Sequence, residues 1–141
     1  MIKYRTQNQF TKTIYETEEL RLEHEWESTY LVRKSDNQVL MDDDFLGDPD
    51  CGLIDKENNW AIVAGIHLTL WTSNGETKYQ TDKFRYIHSI RLKDKDTVEI
   101  LTDPWAEYSA IWELSLKTKE LKKVKDFNKY QEKVYTENVE W

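Results

Sequence analysis

The chain has 141 residues, of which 38% are hydrophobic and 13% aromatic, so it can bury a core and disorder is not expected. We therefore expect one domain that spans residues 1–141. The net charge of −7 lies entirely in residues 1–60, which contain 7 Lys/Arg and 14 Asp/Glu, and such a negative field disfavours nucleic-acid binding, despite the lysine-rich stretch at 117–125.

Apolar residues alternate with polar ones along most of the chain, which is the period-two pattern of β-strands. The first clear example is LRLEHEW at 20–26, which places Leu20, Leu22, His24 and Trp26 on one face and charged residues on the other. Further runs of this kind are YLVR (30–33), QVLM (38–41), CGLI (51–54), NWAIVAG (59–65), HLTLW (67–71), YIHSIRL (86–92), TVEIL (97–101) and IWELSL (111–116). The sequence therefore predicts an all-β fold of antiparallel strands.

Three segments share the same order of strand, polar turn and strand, with an ending that combines acidic residues with a phenylalanine. These segments are YLVRKSDNQVLMDDDF, LTLWTSNGETKYQTDKF and WELSLKTKELKKVKDF, and they end at Phe45, Phe84 and Phe127. A unit of about forty residues with four short strands has the size of a propeller blade. The predicted units are 1–47, 48–85 and 86–128, with a C-terminal tail at 129–141.

Three blades are too few to close a ring, so we expect an open arc resembling half a propeller, with a β-sandwich or barrel as the alternative. An arc exposes sheet edges or faces that need protection. Glutamates at 16–27 could protect the first unit, and the tail could protect the last. Near the end, Asp126 could cap a short helix that presents Phe127, Tyr130 and Val134, although Tyr135, Val139 and Trp141 equally suit a closing strand.

Motifs for catalysis or for a cofactor are absent from the sequence. The single cysteine, Cys51, suits a small buried side chain in a reducing compartment. His24, His67 and His88 have no zinc-binding spacing, although His67 and His88 could meet a carboxylate in the fold. We expect no enzyme activity, no metal and no cofactor. Since no signal peptide or membrane span is found, we expect a cytoplasmic protein.

The acidic stretch DDDFLGDPDCG contains five aspartates within nine positions: Asp42, Asp43, Asp44, Asp48 and Asp50. It lacks two of the ligands that a calcium loop requires, so a solvated turn that attracts a basic partner is the better interpretation. Trp105, Glu107 and Tyr108 form a second group, in which an aromatic pair beside an acid is typical of a binding hot spot. Folding of Trp105 back onto the sheet is the alternative for that residue. The other strand tryptophans, at 26, 60, 71 and 112, are predicted to lie in the core.

In its size, acidity and repeat plan, the whole chain resembles the immunity proteins that bacteria produce against polymorphic or contact-dependent toxins. The resemblance implies an inhibitor that occludes the active site of a basic, nuclease-type toxin, with the acidic and aromatic residues above at the interface. Two other functions remain open. One is a self-assembling module that forms a homodimer, and the other is a hydrolase or lyase that uses His67, His88 and a carboxylate.

Overall fold

The computed structural model describes all 141 residues and contains thirteen β-strands and no helix, which confirms the all-β prediction. The strands are β1 (Lys3–Tyr4), β2 (Lys12–Glu16), β3 (Leu20–Glu25), β4 (Ser28–Arg33), β5 (Gln38–Asp44), β6 (Cys51–Ile54), β7 (Trp60–Ala64), β8 (Leu68–Thr72), β9 (Gly75–Tyr79), β10 (Ile87–Asp94), β11 (Thr97–Thr102), β12 (Ala110–Ser115) and β13 (Leu121–Asp126).

These strands form three antiparallel sheets. In each sheet, four strands that follow one another in the sequence lie side by side. The first sheet has the order β1-β5-β4-β3-β2, the second β6-β7-β8-β9 and the third β10-β11-β12-β13. Each sheet falls within one of the predicted repeat units. The sheets do not close into a barrel, and β6 contacts both β2 and β10, as the innermost strands of adjacent blades would. The prediction of three blade-like sheets is thus confirmed.

The second sheet is packed on both faces, because alternate residues of β7 belong to different cores. Ala61 and Val63 join the core shared with the first sheet, whereas Trp60, Ile62 and Ala64 join the core shared with the third. All five residues of β7 are buried. A strand covered on both faces is apolar along its whole length, which explains the continuous run WAIVA.

The three phenylalanines that marked the repeat follow the last strand of each sheet, and all are buried. The backbone N–H of Phe45 donates to Glu27, and that of Phe127 donates to Ser109, so both close the turn between the middle strands of their own sheets. The Phe84 N–H instead bonds to the Thr81 hydroxyl. Each phenylalanine therefore anchors the chain where it leaves a sheet.

The N-terminal segment (residues 1–11) crosses the outer face of the first sheet. Its Arg5 donates to Glu23 at 2.8 Å and lies over the Tyr30 ring at 3.9 Å. The prediction that β3 is only half-buried is therefore wrong: Arg21 is only 9% exposed, and Glu23 is fully buried. Charges can occupy that face because Glu23 is held by both Arg5 and Arg21.

The C-terminal tail (residues 129–141) lies on the outer face of the third sheet. Its Tyr130, Val139 and Trp141 pack against a small core of Leu101, Ile111 and Phe127. Neither the helix nor the closing strand considered for this region forms. The aromatic side chains instead fix an irregular segment on the sheet, in agreement with the expectation that the tail protects this end.

The meander topology gives the sheets two distinct ends. The turn end carries hairpin turns such as 17–19, 55–59 and 95–96. The connection end carries the chain passages between sheets, 45–50 and 80–86, together with the β3–β4 turn, residues 65–67 and the loop 103–109. Most of the residues predicted to bind a partner lie at the connection end.

Candidate protein-binding site

The acidic stretch does not form one loop, because β5 extends through Asp44 and separates its aspartates. Asp42 and Asp44 are exposed on the outer face of the first sheet, where Lys3 pairs with Asp42 and Ser28 donates to Asp44 at 3.1 Å. Asp48 and Asp50 are exposed at the connection end. The predicted cluster therefore divides between two surfaces.

Asp43 belongs to neither surface, since it is buried between the first and second sheets at 6% exposure. One carboxylate oxygen accepts hydrogen bonds from His67 at 2.8 Å and Thr69 at 2.5 Å, and the other pairs with Lys78 at 2.8 Å. Burial would raise the pKa of Asp43, but the bonds from His67, Lys78 and Thr69 lower it to about 2. The expectation of an exposed Asp43 is wrong, because the pleat turns it inward.

The two histidines of the hydrolase alternative have separate surroundings. His67 bonds to Asp43 and stacks on Phe45, with ring centroids 4.1 Å apart. The Nδ1 atom of His88 lies 2.6 Å from the Ser89 hydroxyl, and its ring meets Trp105 edge to face. No group of three or more His, Cys, Asp or Glu side chains is arranged to hold a metal ion. His67 therefore has a carboxylate partner, Asp43, whereas the hydrogen-bond partner of His88 is the Ser89 hydroxyl.

A cleft of about 420 Å³ opens at the connection end between the second and third sheets. It is lined by Asp50, Tyr86, Ile87, His88, Asp103 and Tyr135. Burial raises the pKa of Asp50, as does the neighbouring Asp48, whereas the nearby His88 lowers it. The Asp103 carboxylate is oriented by the backbone N–H of Trp105, which donates to it at 3.0 Å. The cleft thus combines two carboxylates with aromatic walls.

Trp105 lies behind this cleft and is only partly exposed. Its ring centroid is 5.1 Å from that of Tyr135 and 5.7 Å from that of Tyr130, so the tail covers it. Its buried indole N–H has no hydrogen-bond partner. Of the two alternatives for Trp105, the structure shows the one in which it packs against the rest of the protein.

Glu107 and Tyr108 lie on the same loop as Asp103. Glu107 is exposed, whereas Tyr108 is partly buried and lies 5.7 Å from the Arg85 guanidinium. Burial raises the pKa of Tyr108, and Asp103 raises it further. Both side chains therefore lie at the connection end but outside the lining of the cleft.

Trp26 is the exposed tryptophan of the connection end, and its predicted place in the core is wrong. Its side chain is 66% exposed, beside the half-exposed Phe10. The strands β3 and β4 pair as far as Glu25 and Ser28, which leaves Trp26 in a two-residue turn with φ 55°. His24 Nδ1 holds this turn through a 2.8 Å bond to the Trp26 carbonyl. The glutamates on either side of Trp26 were the sequence signal for an exposed position.

Tyr86 resembles Trp26 in its backbone conformation, with φ 53°, and it is 48% exposed. A left-handed conformation in a bulky residue is strained, and such strain concentrates at functional sites. The loop 45–50 lies between these two residues: Asp48 lines a small cavity beside Trp26, and Asp50 lines the cleft beside Tyr86. The connection end therefore presents two strained aromatic residues on one acidic surface.

Comparison with known proteins identified no matching family model and no matching curated protein. The structure contains no helix, and so none that could span a membrane.

Proposed function

We propose that this protein is a bacterial, cytoplasmic inhibitor of the immunity-protein class, which binds a basic toxin domain through its connection end. The observation that carries the proposal is the pair of exposed aromatic residues, Trp26 and Tyr86, held in left-handed conformations on an acidic surface. Trp and Tyr are the residue types that most often dominate the energy of protein interfaces. A left-handed backbone at a bulky, exposed residue lowers the stability of the folded state. A role in binding explains why these residues occupy such positions.

The charges of the connection end define the chemistry of the partner. The segments of the connection end, with Glu25 beside them, carry two cations, Lys83 and Arg85, and seven carboxylates: Glu25, Glu27, Asp48, Asp50, Asp82, Asp103 and Glu107. Negative charge on one face accelerates association with a positively charged surface and rejects acidic partners. A nuclease-type toxin offers such a surface, because its active site must attract phosphates. Covering that site with carboxylates and two aromatic anchors would exclude nucleic acid.

The first test is co-purification of the tagged protein with the product of the neighbouring gene, followed by mass spectrometry and a salt titration. We expect a single basic protein, bound in a 1:1 ratio and released by salt, whose activity stops when the complex forms. Recovery of the tagged protein alone, at low salt, would contradict the proposal.

The aromatic anchor is tested with Trp26→Gly, because glycine removes the indole and adopts a φ of 55° without strain. This variant should fold as well as the wild type and bind the partner at least about tenfold more weakly, as expected for a hot-spot residue. The matched control is Leu92→Ala, which removes an exposed apolar side chain from the third sheet. Equal affinities for Trp26→Gly and the wild type would exclude Trp26 from the interface.

Self-assembly is the second candidate, and one observation favours it. The outermost strand β13 and the part of β5 beyond its two-residue pairing with β1 carry opposite charges, with Asp42 and Asp44 on β5 and lysines 122, 123 and 125 on β13. Two copies could pair these edges, since unpaired strand edges are templates for further strands. Light scattering at high protein concentration separates the candidates, because this pairing predicts oligomers that dissociate in salt.

A further inference from the structure

Arginine is held in this protein by a recurring combination of carboxylate and aromatic ring. The Arg5 guanidinium lies 2.8 Å from Glu23 and 3.6 Å from Glu25, and it covers the Tyr30 ring at 3.9 Å. On the opposite side of the molecule, Arg91 pairs with Glu99 at 2.9 Å and lies over the Trp141 ring at 3.8 Å. Both sites use the planar guanidinium in the same way, with its edge to a carboxylate and its face to a ring.

The cleft at the connection end contains the same combination of groups. Asp50 and Asp103 supply the carboxylates, and Tyr86 and Tyr135 supply the rings. Neither aspartate lies within 4.0 Å of a lysine or arginine nitrogen of the chain, although fourteen other ion pairs form. Arg85 is adjacent in sequence, but its guanidinium lies over the rings of Tyr86 and Tyr108, at 5.5 and 5.7 Å.

We infer that this cleft is a binding site for an arginine side chain, contributed by the partner protein. A guanidinium can pair with the two carboxylates while its face stacks on a tyrosine ring. A lysine ammonium can form the ion pairs but has no face to stack. The volume of about 420 Å³ accommodates such a side chain.

The electrostatics of the cleft favour a cation over a neutral ligand. Asp50 is partly desolvated and close to Asp48, and both effects raise its pKa, whereas the nearby His88 lowers it, so the negative charge of Asp50 is only partly compensated. A bound guanidinium supplies the compensation that remains. Tyr86 is held at the rim by its left-handed backbone, and Trp105 supports Tyr135 from behind. The walls are thus positioned before the ligand arrives, which lowers the entropic cost of binding.

The assignment of this arginine to a toxin rests on the proposed function. The arginine site itself can be tested without a protein partner. The probe is N-acetyl-arginine amide, whose only charge is the guanidinium. N-acetyl-citrulline amide, which has the same shape and no charge, is the matched control ligand. Titration of the ¹⁵N-labelled full chain by NMR should give saturable shifts at Tyr86, His88 and Asp103, and at the distinctive Trp105 indole resonance. The citrulline compound should leave these resonances unchanged.

The matched variants are Asp50→Asn/Asp103→Asn and Glu18→Gln/Glu57→Gln. Both remove two negative charges, but Glu18 and Glu57 are exposed at the turn end, far along the strands from the cleft. We expect the first variant to weaken arginine binding by about tenfold or more and the second to leave it unchanged. Shifts that map outside the cleft, equal shifts with citrulline, or equal weakening by both variants would overturn the inference.

These results distinguish the site from the proposed function. Arginine binding in the cleft without any protein partner in the co-purification would retain the site and overturn the inhibitor proposal. A basic partner that binds through Trp26, in a protein whose cleft takes no arginine, would retain the proposal and overturn the site.

Discussion

Asp43 shows how one residue can depart from the role that its neighbours suggest. It lies within a run of three aspartates, yet the pleat of β5 places only Asp42 and Asp44 outside. Its inward position is stable because three donors, from His67, Thr69 and Lys78, converge on one carboxylate. A buried charge without such partners would be strongly destabilising. The group therefore links the first sheet to the second.

The stability of the protein should depend on the ionisation of Asp43. Because the folded state lowers the pKa of Asp43 from 3.8 to about 2, the ionised carboxylate stabilises the fold above pH 4. That contribution, about 2 kcal/mol, is lost as the pH falls from about 4 to about 2. Urea denaturation of the wild type and Asp43→Asn should therefore give free energies of unfolding that differ near neutral pH and converge at about pH 2. A difference that is independent of pH would contradict this assignment.

At the scale of elements, the N-terminal segment changes the character of the first sheet. Most residues of the N-terminal segment are exposed, and β1 pairs with β5 at only two positions. The side chain of Arg5 in this segment is nevertheless only 15% exposed, and it is bound to the fully buried Glu23. The sequence pattern predicted a solvent-facing side for β3. The outer face of the first sheet is covered by residues 1–11, which have no strand periodicity. No local sequence pattern indicates where such a segment lies on the fold.

Removal of Arg5 should therefore destabilise the fold far more than removal of Lys3. Arg5→Ala leaves Glu23 buried with Arg21 as its remaining partner, and we expect a loss of about 2 kcal/mol. Lys3→Ala, the matched control in the same segment, removes an ion pair whose groups are both exposed, and little change is expected. Thermal and urea denaturation measure both variants. Similar losses for the two variants would show that the segment stabilises the sheet by packing rather than through Arg5.

The strands themselves were largely predictable from the sequence. Alternation located β3, β4, β5, β7, β8, β10, β11 and β12 to within a few residues, because these strands have at least one face in a core. It missed β1 and β2, which are short and mostly exposed and so have no apolar period. Trp26, predicted to lie in the core, is exposed, whereas for Trp105 the sequence left exposure and packing against the sheet as open alternatives. If the β3–β4 turn lay one residue earlier or later, the Trp26 side chain would point to the opposite face of the sheet. The burial of Trp105 depends on the C-terminal tail, which is distant in sequence.

The whole molecule is a stack of three sheets whose two outer faces are covered by the ends of the chain. The repeat read from Phe45, Phe84 and Phe127 predicted the number of sheets and their order. It did not predict the connection end as the common location of Trp26, Asp50 and Tyr86, because those residues come from different units. Repeat arrays need such terminal covers to remain soluble.

Truncation at residue 128 should convert the protein into a self-associating one. Removing the tail uncovers Leu101, Ile111 and Phe127, an apolar patch on a sheet face. Light scattering should find monomers for the full chain and dimers or larger species for the truncated one. Trp141→Ala, which weakens the cover without removing it, should give an intermediate tendency, whereas Val134→Ala, at a 90% exposed position, should have no effect. A monomeric, folded truncation would show that the tail is dispensable as a cover.

The buried phenylalanines have a consequence for how such a chain can diversify. Each connection between sheets is fixed by one of these side chains, while the residues beside it face water. Point changes at those exposed positions should have little effect on the strands or the two shared cores. A lineage built on this plan can therefore acquire new partners by changing its connections, as antibodies do with their loops, while the three sheets stay the same.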